Sequence, residues 1–282
     1  MANHSVPVYE NISEEEIRNK INERKPFVIR NYDIGPCSQL WTHEYLSKKV
    51  GNAPIKIHVS SDGRMDFVKK NFLYKTLPFD ELILRASRHD QTDYFIHPKE
   101  FYYLRSLGSD PRGREVANFI EQYPEVAKDL KIPNFFNKDD LFSSVFRVGS
   151  PGVRLWTHYD IMDNILIQVH GAKEVILWPP SEIENMYLIG DKSEVLDVEN
   201  PDLEKFPKFA KAVSYKGVLQ SGDIIFIPAL WFHNTLSIEP SIAINLFWKN
   251  LPHEFYDKKD PYGNKDLVAG AKVCIGFVLV QN

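Results

Sequence analysis

The sequence predicts a mainly β fold, a double-stranded β-helix of jelly-roll type with helices packed on its outside. Short apolar runs recur through the second half, at Asn164–Val169, Lys173–Trp178, Ile224–Ile227 and Ser241–Trp248, each bounded by Gly, Pro, Asp or Ser. Helical patterns are short and confined to the first half. No repeat, low-complexity tract or long linker interrupts the 282 residues, a length that one barrel can use as a single unit.

Taken in order, Ser13-Glu14-Glu15-Glu16 is a capping box that opens a short helix carrying Ile17 and Ile21. Pro26–Arg30 and Ile55–Val59 read as early strands. Between them, after a turn at Gly35-Pro36, Trp41, Tyr45 and Leu46 fall at helical spacing and form a core stripe. Pro78–Ala86 and Glu115–Leu130 read as helical, with a break at Pro124. Asn164–Val169 and Lys173–Trp178, joined by His170-Gly171-Ala172, read as a hairpin ended by Pro179-Pro180. Ser221-Gly222-Asp223 is a turn, Ile224–Ile227 a buried strand, and Pro228 stops its pairing. In Ser241–Trp248, Ile242, Ile244, Leu246 and Trp248 share one face, and Ala243, Asn245 and Phe247 the other. Asn245 is therefore either a donor to groups inside the barrel or an ordinary sheet-edge hydrogen bond.

Composition narrows the function classes. The two cysteines, Cys37 and Cys274, supply neither a disulfide framework nor a zinc cluster. Met1–Ser5 lacks the charged and apolar regions of a signal peptide, which predicts a cytoplasmic or nuclear, reducing setting. Leu267–Val280 is too short and Gly-broken for a transmembrane helix, so no membrane partner is expected. The net charge of −4 does not advertise nucleic-acid binding, so an RNA surface would rest on local clusters. Three exist: Arg64, Lys69, Lys70 and Lys75 among Phe67, Phe72 and Tyr74; Arg105, Arg112 and Arg114; and Lys205, Lys208 and Lys211. Most such clusters are simply solvated faces.

The chemistry-bearing pattern is Trp156-Thr157-His158-Tyr159-Asp160 ahead of one apolar run and Phe232-His233-Asn234 after another. Two imidazoles and one carboxylate on one face of a metal leave its other face open, which suits ferrous iron binding a co-substrate and dioxygen. A structural zinc would close its fourth position with another His or a Cys. His-x-Asp ahead of a His is a weak signal in a chain with nine histidines, and the strand-end placement of both histidines is what strengthens it. Trp231, Phe232 and Tyr159 beside these residues are either a dry wall for the site or plain core.

These residues resemble the JmjC branch of the Fe(II)- and 2-oxoglutarate-dependent oxygenases, whose fold is a cupin-type double-stranded β-helix. Phe142–Arg147, Leu155–Asp160, Phe226–Asn234, Tyr256–Lys258 and Tyr262–Asp266 are similar to a subgroup that hydroxylates the wybutosine-type side chain of a base beside the anticodon of phenylalanine tRNA. Tyr102–Gly108 belongs to the same match, which runs from about Val6 to about Asp266. The resemblance implies His158, Asp160 and His233 as the catalytic Fe(II) ligands, and Tyr103, Asn164 and Lys173 as 2-oxoglutarate contacts. Lys173 corresponds to the lysine that pairs with the C5 carboxylate. It further implies dioxygen as co-substrate, succinate and CO2 as co-products, and the tRNA anticodon loop as partner. On this division, 1–136 packs on the barrel, 137–253 is the catalytic core and 254–282 is a C-terminal extension, all one structural unit. After Asp266 the chain departs from the helical tail that pairs two subunits in the subgroup, so a homodimer is an open expectation. Two other classes use the same residues: a JmjC oxygenase acting on protein side chains, as hydroxylase or demethylase, and a cupin-like metal-binding scaffold without turnover.

Overall fold

The computed structural model describes residues 3–110, 115–252 and 255–256. The expectations for Arg112, Arg114, Asp257–Asp266, Cys274 and the segment after Asp266 lie outside the described residues.

Two short strands, β1 (Asn3–Ser5) and β2 (Val8–Glu10), join different sheets. Ser13 then starts α1 (Glu14–Asn22). Its hydroxyl accepts from the Glu16 N–H at 3.2 Å, and the Glu16 carboxylate accepts from the Ser13 N–H at 2.8 Å, the reciprocal cap that the sequence encodes. Ile17 and Ile21 are the buried face. After β3 (Phe27–Arg30), the Trp41–Leu46 stripe is core, but divided between α2 (Cys37–Leu40) and α3 (His43–Val50). Thr42 makes the division by capping α3 through the Tyr45 N–H at 3.1 Å. Next come β4 (Pro54–Ser60), β5 (Leu73–Pro78), α4 (Phe79–Ala86) and β6 (Phe101–Arg105).

The helix expected over Glu115–Leu130 is instead two single turns, α5 (Phe119–Gln122) and α6 (Pro124–Ala127). The Ala117 carbonyl accepts from the Ser144 N–H at 3.0 Å, and the Ser144 hydroxyl accepts from the Phe119 N–H at 2.8 Å. The backbone before α5 is therefore committed to the neighbouring strand, and Pro124 prevents the two turns from merging.

That strand, β7 (Leu141–Gly149), opens the barrel proper. It is followed by β8 (Asp163–His170), β9 (Lys173–Trp178), the small pair β10 (Leu188–Ile189) and β11 (Lys192–Ser193), then β12 (Ser214–Leu219), β13 (Ile224–Ile227), β14 (Phe232–Ser237) and β15 (Ser241–Trp248). A nine-stranded sheet runs β2-β3-β13-β8-β15-β7-β6-β4-β5, and a four-stranded sheet runs β1-β12-β9-β14. The expected hairpin of β8 with β9 is thus corrected: β8 pairs with β13 and β15, whereas β9 pairs with β12 and β14. From β12 to β15 the chain alternates between the sheets at every connection, which is the double-stranded β-helix. Gly171 makes the β8–β9 crossing possible, since its φ is +74° and a Cβ there would stand 2.2 Å from the Pro240 carbonyl oxygen.

Strand alternation sorts the core. Ile165, Ile167, Ile224, Phe226, Ile242, Ile244 and Leu246 face outward into the cluster formed with α1–α5. Leu166, Ile225, Ile227 and Ala243 face inward against Val175, Leu177 and Leu219 of the smaller sheet. Asn245 lies on this inward face, between Ala243 and Phe247.

Candidate metal centre

His158, Asp160 and His233 converge, with one potential donor atom from each lying within 4.8 Å of the others. β14 carries His233, one residue in from its start. His158 sits in the extended segment before β8 and is paired to β14 on one side and to β11 on the other. The His158 N–H donates to the His233 carbonyl at 3.2 Å, and the reverse bond is 2.8 Å. Asp160 is fixed through its own carbonyl, which accepts from the Leu230 N–H at 2.7 Å. Leu230 has φ +72°, a left-handed conformation that is costly for a leucine and shapes the turn leading into β14.

Both imidazoles are oriented alike. His158 Nδ1 lies 3.0 Å from the Trp156 carbonyl, and His233 Nδ1 lies 3.0 Å from the Trp231 carbonyl. A carbonyl only accepts, so each Nδ1 carries the proton and each Nε2 keeps its lone pair. His233 Nε2 is 3.6 Å from an Asp160 carboxylate oxygen. Burial, aided by its neighbour His233, lowers His158 to about 3, and burial also holds His233 below its ordinary value. Burial pushes the Asp160 carboxyl up, but His158, His233, Arg105 and Arg147 outweigh it and the net shift is downward. At neutral pH the trio is two neutral imidazoles and a carboxylate, ready to coordinate without losing a proton.

A cavity of about 210 Å³ opens onto His158 and Asp160. Phe67, Tyr103, Phe142, Trp156 and Phe247 supply its aromatic lining, and Arg105, Arg147 and Lys192 its cations. Trp231, Phe232 and Tyr159 do not line it; they are buried in the core, with the Trp231 indole donating to the Arg24 carbonyl at 3.1 Å. The plain-core alternative therefore holds for all three. The Lys192 ammonium lies 4.9 Å over the Phe67 ring at the cavity wall.

The other sequence-selected residues fall into two linked groups. Lys173 begins β9, is 4% exposed, and has the Ser237 hydroxyl 3.4 Å from its ammonium; among the described residues it has no carboxylate partner. Burial, reinforced by Arg147, lowers it to about 7. Tyr103 comes from β6 and receives a hydrogen bond from Arg147, whose Nε donates to Asn245 Oδ1 at 2.5 Å. The Asn245 amide in turn donates to Asn164 Oδ1 at 2.9 Å. Asn245 thus resolves as an interior donor. Gly149 keeps the space between these groups open, because a Cβ there would stand 2.9 Å from Ser237 Oγ and 3.9 Å from the Tyr103 ring.

Arg147 is the residue that sequence reasoning missed. It lies opposite inward-facing Ala243 in register, and a lone charge at an inward position of the apolar run Val145–Val148 was the available signal. Of the basic clusters, Lys69 and Lys70 are exposed, Arg64 pairs with Asp197, and Arg105 borders the cavity.

Fold and site together define a cupin-type barrel with a His-Asp-His centre at the mouth of an interior cavity. The model of the cupin-like domain family matches residues 13–254. The tRNA wybutosine-synthesizing protein 5 of Danio rerio is 52% identical over 268 residues, covering 95% of this chain and 82% of that protein. Its namesake in Homo sapiens is 50% identical over 268 residues, with 95% and 85% covered. A tRNA wybutosine-synthesizing protein 4 from Aspergillus oryzae is 34% identical over 257 residues, 89% of this chain but only 24% of that larger protein. The chain belongs to the cupin-like domain family and, within it, to the family of tRNA wybutosine-synthesizing protein 5.

Proposed function

We propose that this protein is an Fe(II)- and 2-oxoglutarate-dependent hydroxylase acting on the wybutosine-type side chain of a hypermodified base in phenylalanine tRNA, with succinate and CO2 as co-products. The observation that carries the reading is the convergence of His158, Asp160 and His233, two of which line a cavity, in a barrel whose buried Lys173 lacks an anionic partner among the described residues. Family membership supports the tRNA substrate through the names of the relatives.

The residues fit the groups that this chemistry requires. Two neutral imidazoles and one carboxylate on one side are the donor set of open ferrous sites. An unpaired buried ammonium is costly, and a dicarboxylate's far end would compensate it. The space kept by Gly149 between Ser237 and Tyr103 is lost if a Cβ is added. His158, Asp160 and His233 would hold the iron, Lys173 the C5 carboxylate, and Tyr103 and Asn164 would complete the 2-oxoglutarate contacts. Bound there, Fe(II) with 2-oxoglutarate and dioxygen supplies the oxidising power to convert a substrate C–H into C–OH.

The protein's own groups do the positioning. The Trp156 and Trp231 carbonyls hold the imidazoles in the ligating tautomer. Arg147 orients Tyr103 and, through Asn245, Asn164. Phe67, Phe142, Trp156 and Phe247 keep water away from the reacting carbon. Lys69, Lys70 and Arg105, together with Arg112 outside the described residues, would meet the anticodon-loop phosphates. Among the described residues no helix is long and apolar enough to cross a membrane. A cytoplasmic or nuclear, reducing setting follows from the proposed substrate and ferrous iron. Succinate release from 2-oxoglutarate, measured with phenylalanine tRNA, unrelated RNA and protein extract in parallel, tests the proposal. Stimulation by the tRNA alone is expected; stimulation by protein alone would transfer the assignment to a protein oxygenase, and none at all to a metal-binding scaffold.

A further inference from the structure

The three segments that bring polar groups to the site have a second set of residues, one position away and pointing out of the barrel. Asn234 follows His233, Glu174 follows Lys173, and Thr157 precedes His158, with Arg154 three residues further back. These neighbours and Arg154 form one network, buried at Asn234, Thr157 and Arg154 and reaching solvent at Glu199 and Lys216. Asn234 is 1% exposed, and its amide nitrogen donates to the Leu155 carbonyl at 2.7 Å and the Thr157 hydroxyl at 3.1 Å. Its amide oxygen accepts from Arg154 Nη1 at 2.8 Å. Arg154, 5% exposed, reaches Glu174 at 3.1 Å and Glu199 at 3.0 Å, and Lys216 joins Glu174 at 2.7 Å.

We propose that Asn234, anchored by Arg154, is the positioning residue that holds the His158 segment in register with His233. The reason is geometric. His158 is outside any regular strand, and its segment is aligned by backbone bonds to His233 and Thr235 of β14, to Ser193 of β11 and to Asp191, bonds that do not depend on side-chain identity. A slip of one residue would turn the His158 side chain to the other face. The Asn234 side chain blocks that slip by gripping the carbonyl of Leu155 and the hydroxyl of Thr157, on either side of Trp156, whose own carbonyl orients His158. Arg154 in turn fixes the amide orientation, because its guanidinium only donates and so selects the oxygen end of Asn234. Glu174 extends the anchor to the strand of Lys173.

The inference rests on His158, Asp160 and His233 being metal ligands, and the test separates the two. Co(II) is titrated into the full chain, and its visible absorption, which reports coordination geometry, is recorded for the wild type, Asn234→Ala, Thr157→Val and Glu174→Gln. Wild-type binding that vanishes in Asp160→Ala supports the metal site itself. Asn234→Ala is then expected to bind Co(II) roughly 10–100-fold more weakly, as loss of outer partners generally does, with an altered spectrum. Thr157→Val and Glu174→Gln, which leave Asn234 in place and are mild enough to fold, should show the same spectral change to a smaller degree. Ile17→Val in α1 is the control for general loss of stability and should leave affinity and spectrum unchanged. Wild-type affinity and spectrum in both Asn234→Ala and Thr157→Val would overturn the inference while leaving the metal site standing. An inability of wild type to bind Co(II) would remove the reading beneath it.

Discussion

The main chains of His158 and His233 exchange both hydrogen bonds, at 3.2 and 2.8 Å, so the two imidazoles face each other across a fixed backbone pair with ring centroids 4.3 Å apart. Residues 75 apart in sequence are thereby made as close as neighbours on one strand pair. Asp160 enters the same construction through Leu230, so the turn into β14 and the segment before β8 form one unit.

Removing a ligand should leave that unit folded and inert. Asp160→Ala is expected to abolish Fe(II)-dependent succinate formation, since a two-histidine remnant loses a donor and the facial geometry. Its circular dichroism and thermal midpoint should match the wild type, because the Asp160 backbone bond to Leu230 survives and the carboxylate is 34% exposed. Full activity in this variant excludes the triad.

Lys173→Ala should chiefly raise the 2-oxoglutarate requirement, by on the order of 2–5 kcal/mol for one truncated member of a buried charge pair. Excess co-substrate should rescue turnover in part. An unchanged 2-oxoglutarate dependence removes Lys173 from the site.

The same lysine gives 2-oxoglutarate binding a pH dependence. Burial lowers Lys173 from 10.5 to about 7, so between those values the folded protein without co-substrate holds fewer protons here than the unfolded chain. Its charge costs stability below about 7, and that cost is relieved as pH rises through the window. A bound carboxylate favours the charged form, so binding takes up a proton above about 7. Calorimetric affinity for 2-oxoglutarate should fall as pH rises from 7 toward 9 in the wild type and stay flat in Lys173→Ala. A flat wild-type profile contradicts this role.

The turn before β14 depends on Asp163, whose side chain is fully buried. It accepts from two Arg24 nitrogens at 2.6 and 2.5 Å, from the Ala229 N–H at 2.8 Å and from Asn250 at 2.9 Å. Arg24→Ala leaves that carboxylate without its cation and should cost about 3–5 kcal/mol in urea unfolding. A loss below about 1 kcal/mol, the range of an exposed pair, would mean that Asp163 is held by its neutral donors alone.

Much of this was legible locally. The capping box at Ser13, the buried run Ile224–Ile227 and the face of β15 that holds Asn245 all follow from spacing of neighbours in sequence. What was not legible depends on which strand pairs with which. β8 and β9 both carry apolar residues on both faces, at Ile165–Ile167 and Val175–Trp178, so periodicity could not show that they lie in different sheets. The chain Tyr103, Arg147, Asn245, Asn164 draws one residue from each of four strands, and Arg147 has meaning only once β6, β7, β15 and β8 are adjacent. The Glu115–Leu130 helix failed because β7 competes for the backbone preceding α5.

The most direct measurement is mass spectrometry of phenylalanine tRNA bearing a wybutosine-type side chain, incubated with the protein, Fe(II), 2-oxoglutarate and air. The account predicts one added oxygen on that base, matched by succinate, and absent with Asp160→Ala. Phosphate contacts predict tRNA binding that weakens with salt, with a shallower slope in Lys69→Glu/Lys70→Glu. An unmodified base alongside an oxidised protein substrate would contradict the central claim.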